Sequence, residues 1–358
     1  MQSPPEGEGV FRLDLGINKV AYDRTMKSLD CLVDSTLDPA FLSVLLEKEV
    51  KHNNRIDPLP LELSASGLND AQVAAARSIE EARVSLIQGP PGCGKTRLAS
   101  ALLKAAYRGK PLLAAADSHV AVDRLMAALL SAGVAAVRFG DSARITQRDL
   151  VPYSVEVLAQ QRSSPEAWRS RLRALAGEVQ ALRRAGAGAG AAAAAPGARE
   201  EALQLAEERL RNELKRAADG EQVSYADAVQ SVLDSAEVVC ATLVGCGARD
   251  FEGRSFDLIL LDEASQSTEP RSLIPISRLS PSGRLALVGD HQQLPPVCVS
   301  REAESAGLGL SLFSRLLQLP PLRPAALRVQ YRMHPLIRQW PSEAFYRGTL
   351  VDGESVVG

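Results

Sequence analysis

Long apolar runs are missing from this sequence. No stretch approaches the roughly 20 apolar residues that an α-helix needs to cross a bilayer. The start of the chain, Met1 to Glu8, lacks the basic residues and the apolar segment of a secretion signal. Both absences argue against secretion and membrane insertion, so we expect a protein of the cytoplasm or nucleus with no membrane partner.

Cysteine is scarce as well. The five cysteines are scattered and odd in number, which favours a reducing compartment and argues against structural disulfides. Cys240 and Cys246 are close enough to invite a zinc site, but no second close pair completes a four-ligand set and the four histidines are dispersed. We therefore favour small buried thiols over a structural metal.

Excess charge of one sign is also absent, since the formal net charge is only −2. A nucleic-acid site on such a chain must therefore be a local stripe and not the whole surface. By contrast, 46% of the residues are hydrophobic, and 358 residues are enough to bury a full core. The length predicts two domains, or one large domain with insertions.

The most informative segment that is present fits the pattern G-x-x-x-x-G-K-[ST]. It comprises Gly89, Pro90, Pro91, Gly92, Cys93, Gly94, Lys95 and Thr96. An apolar strand, Val84 to Gln88, precedes it, and a helix rich in alanine and leucine, Thr96 to Tyr107, follows it. Glycines let the backbone curl with N–H groups directed at phosphate oxygens. The segment predicts a nucleotide-binding loop, because the same pattern arises by chance in only about a few per thousand chains of this length.

Two side chains of this loop have a predicted chemical role. Lys95 reaches the β and γ phosphates, and Thr96 offers its hydroxyl to the Mg²⁺ that a triphosphate carries. A nucleoside triphosphate with its Mg²⁺ is therefore the ligand that we expect.

Helical and strand patterns alternate around the loop. From residue 68 onward the order is helix Asp70 to Ala82, the Val84 strand, the Thr96 helix, strand Leu112 to Ala115, helix Ser118 to Ala132 and strand Val134 to Phe139. Such alternation is typical of right-handed crossovers and of a parallel sheet covered on both faces. The expected fold class is therefore α/β, of the P-loop NTPase kind.

The alternation stops after residue 144 and resumes with a strand at Glu237 to Thr242. We expect a helical insertion over about 145–235 that forms an antiparallel hairpin, with Ala185 to Ala198 as a flexible connection rich in alanine and glycine. The insertion is also the predicted surface for protein partners. Residues 1–66 are interpreted as an approach segment, with a strand at Val10 to Leu15 and helices at Tyr22 to Val33 and Pro39 to His52.

Acidic residues stand where two further apolar strands end. The strand Phe256 to Leu261 leads into Asp262 and Glu263, and the strand Leu285 to Val288 ends just before Asp290. Because ligands of open α/β sheets bind at the carboxyl ends of the strands, this acidic pair and the phosphate loop should converge on one crevice. One carboxylate there can hold Mg²⁺, and the other can orient and deprotonate water.

Five segments in sequence order resemble superfamily 1 helicases of the up-frameshift type, and the immunoglobulin-mu-binding and senataxin helicases are closest in kind. The segments are Leu68-Asn69-Asp70-Ala71-Gln72, the glycine-rich loop, Asp262-Glu263-Ala264-Ser265, Gly289-Asp290-His291-Gln292-Gln293-Leu294-Pro295-Pro296 and Gln330-Tyr331-Arg332-Met333-His334-Pro335. The resemblance runs from about Asn18 to the end of the chain and is weakest in the insertion. It implies a RecA-like domain over residues 67–322 and the start of a second one over residues 323–358.

The resemblance also implies a role for each matching residue. For the base of ATP, Gln72 would recognise the adenine edge and Tyr331 would stack on the ring. For its phosphates, Lys95 and Thr96 would bind the phosphate groups and Mg²⁺, and Asp262 would hold the metal. For hydrolysis, Glu263 would activate water, Gln293 would sense the γ-phosphate and Arg332 would stabilise the transferred charge. Ser118, His119 and Thr242 would line the track for single-stranded RNA or DNA. In this family ATP closes two RecA-like domains on the strand, and hydrolysis reopens them.

Two departures from the family pattern stand out. His119 occupies a position at which these helicases usually carry asparagine, and the chain stops at Gly358, before the remaining motifs of a second RecA-like domain. Two hypotheses follow. The chain is the ATP-binding first domain of a helicase, or it is a nucleotide-binding module without motor activity that acts as a scaffold or regulator.

Overall fold

The computed structural model describes residues 19–34, 37–46, 54–63, 67–187, 202–212, 224–320 and 322–356. The strand expected at Val10 to Leu15 lies outside these residues. So do the end of the helix expected to reach His52 and most of the connection expected over Ala185 to Ala198.

A sheet of seven parallel strands forms the centre of the molecule. Its strands are β1 (Val84–Gln88), β2 (Leu112–Ala116), β3 (Ala136–Arg138), β4 (Val238–Thr242), β5 (Phe256–Leu261), β6 (Leu279–Gly289) and β7 (Ala325–Ala326), in the spatial order β3-β4-β2-β5-β6-β1-β7. A separate parallel pair is formed by β8 (Val329–Gln330) and β9 (Val351–Asp352).

Helices surround this sheet. They are α1 (Lys19–Val33), α2 (Pro39–Leu46), α3 (Asp70–Arg77), α4 (Lys95–Ala106), α5 (His119–Ser131), α6 (Val155–Ser163), α7 (Pro165–Ala187), α8 (helical over 202–212), α9 (Tyr225–Ser235), α10 (Glu269–Ile276), α11 (Arg301–Ala303), α12 (Leu312–Leu316) and α13 (Pro335–Tyr346). In the part of the chain that the structure describes, none of them is long and apolar enough to cross a membrane.

Both faces of the sheet are buried, which explains the continuous apolar runs of its strands. Successive residues of β2 alternate between two hydrophobic cores: Leu113 and Ala115 belong to one and Leu112 and Ala114 to the other. Helices α2, α9 and α10 contribute to the first core, and α3, α4 and α5 contribute to the second. The predicted α/β fold, a RecA-like parallel sheet with helices on both faces, is confirmed.

Helix α3 is shorter than the sequence pattern predicts, because it ends at Arg77 and not at Ala82. The Ser78 hydroxyl donates to the Ala75 carbonyl oxygen at 2.7 Å, and the chain then turns so that Ile79 enters the core. The Ile79 carbonyl oxygen accepts a hydrogen bond from Arg284, a residue of β6. The turn is therefore fixed by tertiary contacts that the helical periodicity does not contain.

The inserted segment packs against the first hydrophobic core and contains a second helical contact. Helices α6 and α9 lie against each other, and Val155 and Val232 join the first hydrophobic core. Beyond them, α7 contacts α8 through an ion pair of 2.7 Å between Arg183 and Glu207. The expected helix pair is therefore present in the structure.

Candidate nucleotide site

A cavity of about 880 Å³ opens at the carboxyl edge of the sheet. Its walls come from the loop after β1, the start of α5, the acidic pair after β5 and the turn after β8. The residues that line it are Pro90, Gly92, Cys93, Gly94, Lys95, Thr96, Ser118, Val120, Ala121, Arg124, Asp262, Glu263, Gln266, Tyr331 and Arg332. The phosphate loop and the acidic pair thus converge on one crevice, as the sequence predicts.

The phosphate loop needs glycine at two positions for conformational and steric reasons. Gly92 and Gly94 have φ angles of +78° and +75°, which other residues rarely adopt. A Cβ atom on Gly94 would lie 2.6 Å from Gln72 Nε2, and one on Gly92 would lie 2.7 Å from Arg332 Cβ. No described side chain caps α4, so the N–H groups of its first turn are available to an anion.

Lys95 carries the positive charge of the loop. Its Nζ donates to the Gly89 carbonyl oxygen at 2.8 Å and lies 3.9 Å from Glu263 Oε1. Cys93, within the same loop, is fully buried, and this burial raises the pKa of its thiol to about 12. The thiol is therefore neutral, and the cation of Lys95 faces the acidic pair without a competing thiolate.

Asp262 is a buried carboxyl at the end of β5. Burial, and to a smaller extent the charge of Glu263, raises its pKa to about 6. One carboxylate oxygen accepts the Glu263 N–H at 2.9 Å, but among the described residues no Lys or Arg lies within 4.0 Å of Asp262. A buried carboxylate that lacks a cation partner, in a cavity that the hydroxyl-bearing Thr96 also lines, fits a divalent metal ion.

Glu263 differs from its neighbour in backbone and exposure. Its φ of +50° places a non-glycine residue in the left-handed region, at a cost on the order of 1 kcal/mol. One third of its side chain is exposed, and the carboxylate is directed into the cavity, where Lys95 also lies. The strained backbone holds this second carboxylate at the cavity wall.

Asp290 holds the glutamine that is expected to sense phosphate. The side chain of Asp290 is fully buried, and its Oδ2 accepts hydrogen bonds from Gln293 Nε2 at 2.8 Å and from the Tyr346 hydroxyl at 2.7 Å. Its Oδ1 accepts from Gln88 Nε2 at 3.3 Å. Tyr346 is a site residue that sequence reasoning missed, because no pattern in α13 links it to the end of β6.

A buried glutamine shapes the turn that bears Tyr331 and Arg332. Oε1 of Gln330 accepts the N–H groups of Arg332 at 2.8 Å and Met333 at 2.7 Å, and its Nε2 donates to Asp352 at 2.7 Å. The Tyr331 N–H donates to the Gly92 carbonyl oxygen at 3.0 Å, which joins this turn to the phosphate loop. Gln330 lies in a segment that carries the helicase resemblance, but its amide side chain alone does not predict this role.

Gln72 supports the loop from behind and does not line the cavity. It forms a capping box with Asn69 at the start of α3, and its Nε2 donates to the Cys93 carbonyl oxygen at 3.1 Å. Asn69 in turn donates to the Tyr331 hydroxyl at 2.8 Å. These contacts give Gln72 a bracing role, and adenine recognition by Gln72 stays a prediction.

The three residues expected to contact nucleic acid lie at the ends of the neighbouring strands β2 and β4. Ser118 lines the nucleotide cavity and accepts the Ala121 N–H at 3.1 Å, so it caps α5. Thr242 pairs with Ala116 in the sheet, and its hydroxyl oxygen accepts the Gly245 N–H at 3.1 Å. His119 Nδ1 lies 3.0 Å from the Arg138 guanidinium. Their contact with single-stranded nucleic acid stays a prediction.

Cys240 and Cys246 do not form a metal centre in the described part of the chain. Both are fully buried, and burial raises the pKa of each thiol to about 12. No group of three or more His, Cys, Asp or Glu side chains suited to a metal ion occurs among the described residues. Both side chains are small buried thiols.

The chain is similar to known proteins over most of its length. Two family models, each described as an AAA domain, match residues 67–301 and 308–358. The regulator of nonsense transcripts 1 homolog of Arabidopsis thaliana is 33% identical over 354 residues, which cover 97% of this chain and 26% of that protein. ATP-dependent helicase NAM7 of Saccharomyces cerevisiae is 33% identical over 351 residues, covering 94% and 32% respectively.

An archaeal relative extends the comparison. An uncharacterized ATP-dependent helicase of Methanocaldococcus jannaschii is 28% identical over 368 residues, covering 96% of this chain and 54% of that protein. The chain thus spans about a quarter to a third of the length of the plant and yeast relatives. The first family model alone covers more than half of the chain. The chain belongs to the superfamily 1 helicases of the up-frameshift type.

Proposed function

We propose that this chain contains the ATP-binding RecA-like domain of a helicase that hydrolyses ATP with Mg²⁺ and moves along single-stranded RNA or DNA. The observation that carries the proposal is the convergence of Lys95 and Glu263, 3.9 Å apart, in a cavity whose other wall is a glycine loop. The names of the yeast and archaeal relatives, both ATP-dependent helicases, support the same activity.

In the proposed reaction, Lys95 exchanges its contact with the Gly89 carbonyl oxygen for contacts with phosphate oxygens. Glu263, partly exposed at the cavity wall, accepts a proton from the attacking water. Arg332 lines the cavity and stabilises charge on the transferred phosphoryl group. Thr96 and Asp262 would hold Mg²⁺, which supplies charge neutralisation at the β- and γ-phosphates.

The remaining assignments follow from the same proposal. Tyr331, which is exposed beside the phosphate loop, stacks on the adenine base, and Gln293 senses the γ-phosphate. Ser118, His119 and Thr242 contact the nucleic-acid strand. Residues 1–66 lead into the RecA-like domain, and residues 323–358 begin a second one. The buried thiols of Cys93, Cys240 and Cys246 fit the reducing cytoplasm or nucleus.

The test is ATP affinity and ATP turnover, measured separately with Mg²⁺, each with and without single-stranded RNA or DNA. The proposal predicts ATP binding and a turnover that the nucleic acid stimulates. Tight ATP binding with no turnover under any of these conditions would favour the passive nucleotide-binding module. Absence of ATP binding would reject both functions.

A further inference from the structure

The environment of His119 fixes which of its ring nitrogens carries the proton. Its Nδ1 lies 3.0 Å from Nη2 of Arg138. A guanidinium group has only donors and stays protonated in proteins, so Nδ1 has to accept this hydrogen bond with its lone pair. A neutral imidazole whose Nδ1 is an acceptor carries its hydrogen on Nε2.

Arg138 has no freedom to leave this position. It is buried, and its Nε pairs with the fully buried Asp123 at 2.9 Å. The other oxygen of Asp123 accepts both the N–H and the hydroxyl of Thr146, at 2.7 and 2.8 Å. Nη1 of Arg138 donates to the Phe139 carbonyl oxygen at 2.6 Å. The guanidinium is therefore an immobile donor beneath the imidazole.

The same environment favours the neutral ring. Partial burial and the positive charge of Arg138 lower the pKa of His119 below its ordinary value. Protonation at Nδ1 would place two donors and two positive charges face to face, so the contact between His119 and Arg138 disfavours the imidazolium.

Nε2 of His119 is the free end of this arrangement. His119 is the first residue of α5 and is only half-buried, and its Nε2 has no hydrogen-bond partner among the described residues. Ser118 follows β2, and Arg138, which contacts the ring, is the last residue of β3. Strand β4, which ends at Thr242, lies between β2 and β3 in the sheet. A single N–H donor without a partner among the described residues thus lies at the edge where the residues expected to contact nucleic acid lie.

We propose that Arg138 and Asp123 are positioning residues that hold His119 as a neutral Nε2–H donor to an acceptor atom of single-stranded nucleic acid. This inference rests on the proposed function. According to this inference, His119 contacts nucleic acid through a hydrogen bond of fixed direction and not through the positive charge of a protonated ring. The buried pair of Asp123 and Arg138 determines the direction of that bond.

The first experiment needs no nucleic acid. Nitrogen-15 NMR of the histidine rings in the full chain, with His119 assigned by the loss of its signals in His119→Asn, reports the protonation of each ring nitrogen. We expect an unprotonated Nδ1 and a protonated Nε2 for His119 at pH 7. A proton on Nδ1, either in the other tautomer or in the imidazolium, would overturn the inference.

The second experiment measures affinity for single-stranded oligonucleotides by fluorescence anisotropy in the wild type, His119→Ala and His119→Asn. Loss of one net hydrogen bond predicts about five- to tenfold weaker binding for the alanine variant. Asparagine, which offers both an acceptor to Arg138 and a donor, should restore affinity to within about twofold. ATP affinity should not change in either variant, which separates strand contact from a general structural effect.

The outcomes separate this inference from the function on which it rests. Wild-type binding with an unchanged affinity in His119→Ala would overturn the inference alone. A wild-type chain that binds ATP but no strand would overturn the proposed motion on nucleic acid, and the inference with it.

Discussion

Asp262 and Glu263 are adjacent in the chain, but their surroundings assign them different chemistry. Asp262 is buried with a raised pKa and lacks a cation partner among the described residues, which suits a metal ligand. Glu263 is one-third exposed and lies 3.9 Å from Lys95, at the wall that bound nucleotide and water would share. The different roles proposed for the two carboxylates thus follow from the difference in their burial.

Changing Glu263 to Gln removes the base but leaves the metal site intact. We expect ATP affinity to stay within about twofold, while turnover falls by roughly 10²- to 10⁴-fold, the usual contribution of a general base. Glu302→Gln, at an exposed residue far along the chain, is the control and should hydrolyse ATP like the wild type. Undiminished turnover in Glu263→Gln would reassign the base.

Gly94 and Gly109 form a matched pair for testing the loop. Both have positive φ angles, +75° and +83°, so alanine costs each about 1–2 kcal/mol in the left-handed region. A Cβ on Gly94 meets Gln72 at 2.6 Å, whereas nothing lies within 4 Å of one on Gly109. We expect Gly94→Ala to lose more stability to urea and to be the one variant of the two that loses ATP affinity. Equal behaviour of the two variants would argue against the bracing role of Gln72.

Among the secondary-structure elements, α5 is tied to β3 by the buried pair of Asp123 and Arg138. Removing one partner of a buried pair leaves an uncompensated charge, so Asp123→Asn should lower the free energy of unfolding by about 3–5 kcal/mol. Asp141→Asn, in an exposed pair with Arg144, is the control and should cost less than about 1 kcal/mol. Equal losses in the two variants would show that the buried pair contributes no more than a surface one.

The same pair gives stability a defined dependence on pH. Burial alone would raise the pKa of Asp123, but the hydrogen bonds from Arg138 and Thr146 together outweigh it and lower the pKa below its ordinary value. The stabilisation is therefore complete above the unfolded-state pKa, about 3.9, and is lost as the pH falls through the lower folded value. The stability difference between wild type and Asp123→Asn should accordingly shrink below about pH 4 in urea titrations.

Helix α13 is joined to the end of β6 by the hydroxyl of Tyr346 and the carboxylate of Asp290. Tyr346→Phe removes that hydroxyl alone and should cost about 1.5–3 kcal/mol of stability, the range for a hydrogen bond to a charged group. Tyr153→Phe, at an exposed tyrosine, should be neutral within about 0.5 kcal/mol. A neutral Tyr346→Phe would mean that water replaces the hydroxyl at no cost.

Strands β1, β2, β4 and β5 are predictable because both faces of the sheet are buried and each of these strands is a short apolar run. The two-residue strand β7 carries no such pattern and was not expected. The strand at Phe256 to Leu261 was placed correctly to the residue, whereas the strand before Asp290 begins at Leu279 and not at Leu285. Local pattern fails there because β6 continues through Pro281 and Gly283, residues typical of turns.

The part of the candidate site that consists of contiguous residues was predictable from the sequence. The glycine loop and the acidic pair are short motifs, and the sheet topology brings them together. Gln330 and Tyr346 support the site through hydrogen bonds that the folded chain makes possible, and no local sequence pattern predicts these bonds. The tautomer of His119 likewise depends on Arg138, whose burial only the folded structure reveals.

For the whole molecule, strand order explains how the site forms. β6 lies between β1 and β5, so the loop after β1 and the acidic pair after β5 end at the same edge with Asp290 between them. Segments from both family matches meet there, since the turn bearing Tyr331 and Arg332 belongs to residues 308–358. The nucleotide cavity is thus lined by residues from both family matches.

The most direct test of this account is the Mg²⁺ dependence of ATP affinity, measured by calorimetry in the wild type, Lys95→Ala and Asp262→Asn. We predict that Mg²⁺ strengthens ATP binding in the wild type. Lys95→Ala should weaken ATP binding about tenfold or more at every Mg²⁺ concentration. Asp262→Asn should mainly lose the gain in ATP affinity that Mg²⁺ gives the wild type. Wild-type affinity and wild-type Mg²⁺ dependence in both variants would contradict the claim that the glycine loop and the acidic pair hold one nucleotide.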